Sequence, residues 1–154
     1  MDDFALTPAE RTLFAALTCR GIRFILVGMG AAVLEGAPIA TQDLDLWLER
    51  LDDERIALAA ADAGGFWVPG FGMQPPSFGG TGLDRLDVVL TAHGLDSFNE
   101  EYGRAIERDV EGVLLRVLPL ERVIQSKKAT RRAKDLAQIP ALEAALLAKR
   151  TPPE

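Results

Sequence analysis

The stretch "FILVGMGAAVLEGAPIATQDLDLWL", residues 24–48, places two carboxylates in an otherwise apolar strand. It opens with an apolar strand, continues through a glycine-rich turn into small residues that favour a short helix, and ends in a second predicted strand. Because side chains alternate along a strand, Asp43 and Asp45 point to one face while Leu44 and Leu46 point to the other. Two carboxylates held that close repel each other, so we expect something positive beside them.

A third carboxylate, Asp87 in "RLDVVL", interrupts the next apolar strand. Pairing of the two strands would bring it to the pocket of Asp43 and Asp45, and it is favoured over Asp84, which precedes the strand. Oxygen ligands without a nearby His or Cys suit Mg²⁺, with Mn²⁺ as a substitute. Three carboxylates at one place would hold two such ions, as in-line nucleotidyl displacement requires. The structural alternative is that Asp43 caps the strand while Asp45 pairs with a surface Lys or Arg.

Two other segments have features that suit phosphate. In "VGMGAA", residues 27–32, Gly28 and Gly30 would let the backbone turn and approach a ligand, and the first N–H groups of the following helix would face that ligand. "SKKATRRAKD", residues 126–135, concentrates five cations that cannot all face one way on a helix, so most should be solvated. Lys127 lies at helical spacing from the apolar stripe and would reach the phosphates from the core edge.

Composition predicts one domain, residues 1–154, with a core at about 22–118 and C-terminal helices at about 119–150. The 154 residues are 48% hydrophobic and carry a formal charge of −6, so nucleic-acid contact would need a local basic patch. The longest apolar runs are too short to span a membrane and the first residues are acidic, which predicts a cytoplasmic protein. Cys19 is expected to be buried on a helix and His93 to lie in a loop.

Helix and strand signals alternate along the chain, which predicts a small mixed α/β or α+β fold. Thr7 and Glu10 form a capping box for a first helix. Residues 65–82, rich in Gly, Pro and aromatic residues, predict a long loop that covers the site, lines an acceptor pocket or forms an interface, with Phe66 and Trp67 as alternative core residues. Residues 96–109 predict a helix, residues 110–118 a strand or hairpin, and the last two helices follow, with a kink or break at Pro140.

The order strand, glycine turn, helix, Thr, Asp-x-Asp, a further strand Asp and a basic Arg-x-Lys-Asp segment resembles the DNA-polymerase-β-like nucleotidyltransferase superfamily. More narrowly, it is similar to small bacterial nucleotidyltransferase-like proteins related to abortive-infection toxins of toxin–antitoxin systems. The resemblance runs from Phe24 to Leu142. It implies a short mixed sheet with helices packed on one side and a C-terminal helical segment.

The resemblance also implies site residues. Metal-binding and catalytic roles would belong to Asp43, Asp45 and Asp87, and nucleotide-binding roles to Gly28, Met29, Gly30, Thr41 and Lys127. The group Arg132, Lys134 and Asp135 would match the C-terminal motif, with Asp135 bracing the helices.

The chain departs from the family pattern at two positions. Met29 stands where relatives commonly have a second Gly, or Ser, and Ile39 where many have an Arg before the Thr. Loss of a close backbone approach and of a phosphate-binding cation would each weaken nucleotide binding by about 1–3 kcal/mol.

These features predict a Mg²⁺-dependent enzyme that moves a nucleoside monophosphate from an NTP to a hydroxyl on an RNA end, a protein or a small molecule. The resemblance implies that it is a toxin–antitoxin component with a cognate antitoxin as partner. The alternative is a catalytically inactive relative that binds a partner protein. A glycosyltransferase would need a longer chain, and an EF-hand would need an oxygen ligand and a Gly that "DLDLWLERLDDE" lacks.

Overall fold

The computed structural model describes residues 5–90 and 92–151. Helices in this part of the chain are α1 (Pro8–Cys19), α2 (Gly28–Leu34), α3 (Arg55–Asp62), α4 (Phe98–Arg104), α5 (Leu120–Thr130) and α6 (Ala133–Arg150). The strands are β1 (Phe24–Val27), β2 (Leu44–Leu48), β3 (Phe66–Val68), β4 (Ser77–Gly79), β5 (Leu86–Val88), β6 (Ile106–Val110) and β7 (Val113–Val117).

Five strands form a mixed sheet in the order β5-β2-β1-β7-β6. β1 runs antiparallel to β2 and parallel to β7, while β2 runs parallel to β5 and β6 antiparallel to β7. In this register Val27 lies opposite Asp45, and Asp45 lies opposite Asp87. The predicted strand pairing therefore forms, and it brings the two aspartates to adjacent positions.

The apolar pattern of the two central strands determines which face of the sheet is the core. All four residues of β1 are buried, whereas β2 alternates, with its leucines buried and Asp45 and Trp47 partly exposed. Trp47 packs edge-on against Phe98 of α4, with ring centroids 5.4 Å apart. The aspartate face of β2 is thus covered at one end and open at Asp45.

The helices pack around the sheet as their apolar faces require. α1 packs against α3 and β7, α2 against β1, β2 and α5, and α5 against α6. The predicted capping box at α1 is present: the Thr7 hydroxyl accepts from the Glu10 N–H, and the Glu10 carboxylate accepts from the Thr7 N–H. No helix in the described ranges combines the length and apolar character needed to cross a bilayer.

The prediction of an irregular loop over residues 65–82 was wrong in part. β3 and β4 pair there as a short antiparallel ladder. Trp67 and Phe78 lie opposite each other in this ladder and pack together, with ring centroids 4.8 Å apart, and this contact stabilises the pairing. Phe78 is buried, whereas Phe66 is 58% exposed and does not belong to the core.

The prediction of a helix over residues 96–109 was also wrong beyond Arg104. β6 follows, and the turn at Glu111 and Gly112, with φ values of 53° and 86°, joins it to β7 as a hairpin. Positive φ at both central residues matches the twist of a two-residue hairpin turn, and β7 supplies the partner that makes this segment extended.

One single-residue prediction fails, that of a buried Cys19, and of the kink or break predicted at Pro140 the break does not occur. Pro140 does not break α6, which continues from Ala133 to Arg150, because the proline removes one backbone donor and the packing of α6 on α5 supports the remaining turns. Cys19 is exposed because it lies about 200° around the helix from the buried Leu17.

Candidate functional site

The three predicted carboxylates occupy neighbouring positions on the sheet. Asp45 and Asp87 are register partners on parallel strands, so their side chains project from the same face. Asp43 lies just before β2, where its N–H donates to the Thr41 hydroxyl at 3.3 Å. Asp84 lies in the turn before β5 and outside this register.

The charges of these carboxylates interact. Burial, and after it the negative charges of Asp87 and Asp43, raise the pKa of Asp45 to about 6, while the charge of Lys127 acts in the opposite direction. Burial and then the charge of Asp43 also raise the pKa of Asp87. At neutral pH the group therefore stores mutual repulsion that a positive ligand would relieve.

The chemistry of these donors fits a hard divalent cation. Their ligand atoms are all carboxylate oxygens, the type that Mg²⁺ and Mn²⁺ prefer. Within residues 5–90 and 92–151, however, no three His, Cys, Asp or Glu side chains are gathered closely enough to hold one metal ion together. Binding of an ion would therefore have to draw the carboxylates inward against their repulsion.

Gly28 allows the first turn of α2 to approach Asp45. Its φ is +66°, and a Cβ at this position would lie 3.2 Å from Asp45 Cγ and in collision with Oδ2. A Cβ on Gly30 would lie 3.0 Å from the Leu44 side chain. Both glycines are thus needed for the close packing of α2 on β2, a requirement that exists without any ligand.

Three residues predicted to bind the nucleotide, Met29, Gly30 and Thr41, do not line the cavity next to Asp45. Met29 is half-buried and packs against the core, as does Ile39, so both departures from the family pattern serve packing. Thr41 holds the backbone of Asp43 through its hydroxyl.

That cavity has a volume of about 140 Å³ and joins the sheet to the C-terminal helices. Asp45 and Gly28 line it from the sheet side. Apolar residues line part of the cavity, and three other segments contribute polar lining residues, namely His93, Ser126, Lys127, Thr130, Arg132 and Asp135. The structure therefore brings Gly28, Asp45 and Lys127, which are far apart in sequence, to one place.

Asp135 organises the helical wall of the cavity. It is 2% exposed and accepts hydrogen bonds from Lys127 Nζ at 3.0 Å, the Thr130 hydroxyl at 2.6 Å and Arg132 Nε at 2.8 Å. Burial alone would raise its pKa, but these hydrogen bonds outweigh burial and lower the pKa to about 2. Asp135 thus fixes Lys127 at a position from which its charge also reaches Asp45.

Sequence reasoning did not assign Thr130 or His93 to the site. Thr130 lies three residues after Lys127, on the same face of α5, and that spacing was the available signal. His93 lies six residues after Asp87, but nothing in its local sequence indicates that the turn folds back onto α5.

Comparison with known proteins supports the fold. No protein-family model matches the chain, and no curated protein does. Four solved chains match, among them the solution structure of the antibiotic-resistance factor ANT(2'')-Ia, a nucleotidyltransferase of the polymerase-β-like fold. That structure is 17% identical in sequence, with a TM-score of 0.59 over 92% of this chain and 84% of the other. The predicted fold class is therefore confirmed: the chain has a mixed α/β fold with a five-stranded sheet, consistent with a minimal nucleotidyltransferase fold.

Proposed function

We propose that the protein is a Mg²⁺-dependent nucleotidyltransferase that transfers a nucleoside monophosphate from an NTP to a hydroxyl acceptor. The observation that carries the proposal is the in-register placement of Asp45 next to Asp87, with Asp45 also lining the cavity that Gly28 and Lys127 line. A structural or surface role for the aspartates would not require repelling carboxylates to be placed next to each other. The nucleotidyltransferase-like fold adds support of a different kind.

Each residue has a distinct role in this proposal. Asp43, Asp45 and Asp87 would hold two divalent ions, which activate the acceptor oxygen and stabilise the leaving pyrophosphate when bound. Asp87, the exposed member of the strand pair, accepts the proton of the acceptor hydroxyl. The acceptor oxygen then bonds to the α-phosphorus as the bond to pyrophosphate breaks. Gly28 would offer backbone groups to the phosphate tail, and Lys127 would balance the charge of the tail.

The decisive experiment uses each of the four NTPs labelled at the α-phosphate, with Mg²⁺. Total RNA, total protein and an aminoglycoside mixture serve as separate acceptor pools. We expect label on one pool, lost with Asp45→Asn and Asp87→Asn and retained with Asp84→Asn, the matched carboxylate outside the strand register. No transferred label, together with no thermal protection by any NTP with Mg²⁺, would refute the proposal.

A second candidate, a catalytically inactive protein that binds a partner such as a cognate antitoxin, has two observations in its favour. The side chains of Met29 and Ile39 pack against the core at positions where the family resemblance implies phosphate contacts, and the described carboxylates do not form a closed metal-binding group. This candidate predicts Mg²⁺ binding without turnover and a stable complex with the product of a neighbouring gene. Calorimetry and co-purification would separate it from the enzyme.

A further inference from the structure

The sheet side of the cavity supplies no positive side chain for a phosphate tail. From Phe24 to Glu49 the chain contains no Lys, Arg or His, and its charged residues are all acidic. The proposed phosphate turn at Gly28 therefore offers only backbone groups, next to the negative Asp45. A triphosphate placed there needs its balancing charge from another wall.

The helical wall supplies that charge. Lys127 and Arg132 line the cavity, but they share one carboxylate, Asp135, so this trio carries a formal excess of one positive charge. His93 is the remaining basic side chain at the cavity. Its ring makes no hydrogen bond or ion pair with any residue in the ranges 5–90 and 92–151, so its N–H is available to a ligand.

The turn that carries His93 is seated against α5. Leu95 N–H donates to the Ala92 carbonyl at 3.3 Å, and Gly94 has a φ of +72°. A Cβ on Gly94 would lie 3.2 Å from the Gln125 carbonyl oxygen and would collide with Ala129. This close approach holds the imidazole on the same wall as Lys127.

We infer that His93 is a nucleotide-binding residue that donates a ring N–H to the phosphate tail and completes a basic wall with Lys127 and Arg132. The inference rests on the proposed function and names a ligand contact within it. The cavity of about 140 Å³ is well below the 300–1,000 Å³ usual for pockets that enclose a whole ligand, so it suits phosphate groups rather than the nucleoside.

The test measures binding by calorimetry at fixed Mg²⁺, with an NTP, a nucleoside monophosphate and inorganic tripolyphosphate as probes. We expect His93→Ala to weaken the NTP and tripolyphosphate about tenfold or more, the effect of one lost hydrogen bond to a charged group, with the monophosphate unchanged. His93→Gln keeps a donor and should stay within about threefold of the wild type. Lys128→Ala, an adjacent cation whose side chain does not line this cavity, is the matched control.

Each outcome decides the inference. Equal affinity of wild type and His93→Ala for the NTP overturns it and leaves the nucleotidyltransferase proposal intact. Selective loss of tripolyphosphate affinity without any label transfer supports the His93 contact while the enzymatic proposal fails. A wild-type protein that binds neither the NTP nor tripolyphosphate overturns the inference directly. Because the His93 ring has no protein partner among the described residues, its variants should unfold at the wild-type temperature, which thermal scans verify.

Discussion

At the scale of single residues, Asp45 carries the clearest sign of a binding site in this fold. A half-buried carboxylate whose pKa is raised to about 6 destabilises the folded state at neutral pH, because ionisation costs more in the fold than in the unfolded chain. Such unfavourable charge is typical of positions kept for function.

We expect Asp45→Asn to stabilise the metal-free protein at pH 7.5 by about 1–2 kcal/mol and to lower nucleotidyl transfer by at least about 100-fold. Thermal unfolding in EDTA and the label-transfer assay measure the two effects. Mg²⁺ should raise the unfolding temperature of the wild type but not that of Asp45→Asn. Asp84→Asn should change none of these quantities, and a destabilised Asp45→Asn protein would contradict the proposed repulsion.

We expect that Gly28 cannot be replaced, because a side chain at this position would collide with Asp45 and would also strain the backbone. Gly28→Ala should lower the free energy of unfolding by about 2–4 kcal/mol, because a left-handed backbone and a collision with the Asp45 carboxylate act together. Gly72→Ala is the matched control, since its φ of +59° is similar and a Cβ there meets nothing within 4 Å. Urea unfolding should show that Gly72→Ala lowers the free energy of unfolding by about 1 kcal/mol. Equal losses of stability in Gly28→Ala and Gly72→Ala would exclude a contribution from the collision with Asp45.

At the scale of elements, the joint between α5 and α6 depends on one buried carboxylate. Asp135 on α6 binds Lys127 and Thr130 on α5, and it shapes the wall that faces Asp45. Because its pKa is lowered to about 2, its ion pairing stabilises the fold above the unfolded-state value of about 4, and this stability is lost as the pH falls towards 2.

Asp135→Asn should therefore lower the free energy of unfolding by about 2 kcal/mol at pH 7. The difference in free energy of unfolding between this variant and the wild type should decrease between pH 4 and pH 2 to about zero. Chemical unfolding across this pH range measures the difference. Glu143→Gln also removes an α5–α6 ion pair, with Lys128, but both partners are about half exposed, so it should cost under about 0.5 kcal/mol at every pH. A pH-independent difference for Asp135→Asn would contradict the lowered pKa.

At the scale of the whole molecule, a buried glutamate joins distant parts of the chain. Glu35, just after α2, has no exposed side-chain surface and pairs with Arg108 of β6 at 2.8 Å and Lys149 of α6 at 2.5 Å. Burial alone would raise its pKa, but the two cations lower it. Removal of the charge would leave both cations without their shared partner.

Glu35→Gln should lower the free energy of unfolding by about 2 kcal/mol at pH 7 and should increase hydrogen exchange in the last turns of α6. Asp62→Asn breaks the more exposed pair with Arg20 and should cost under about 0.5 kcal/mol. Unfolding in urea compares the two variants, and similar small losses would show that Glu35 does not hold the elements together.

The local sequence determined the elements whose signals are internal to them. The capping box at Thr7 fixes the start of α1. The apolar run of β1 is unbroken, which indicates a strand buried on both faces, whereas the alternating pattern of β2 indicates a strand buried on one face. The same alternation put the aspartates on the face opposite the leucines. These features depend on neighbouring residues, so sequence periodicity was sufficient to predict them.

Only the tertiary structure decided what depends on partners far along the chain. The segment at Ile106 became a strand because β7 pairs with it, Phe78 rather than Phe66 entered the core because of Trp67, and His93 reached the cavity because its turn rests on α5. Such contacts join residues tens of positions apart, and their free energy outweighs local propensity without leaving any periodic trace in the sequence.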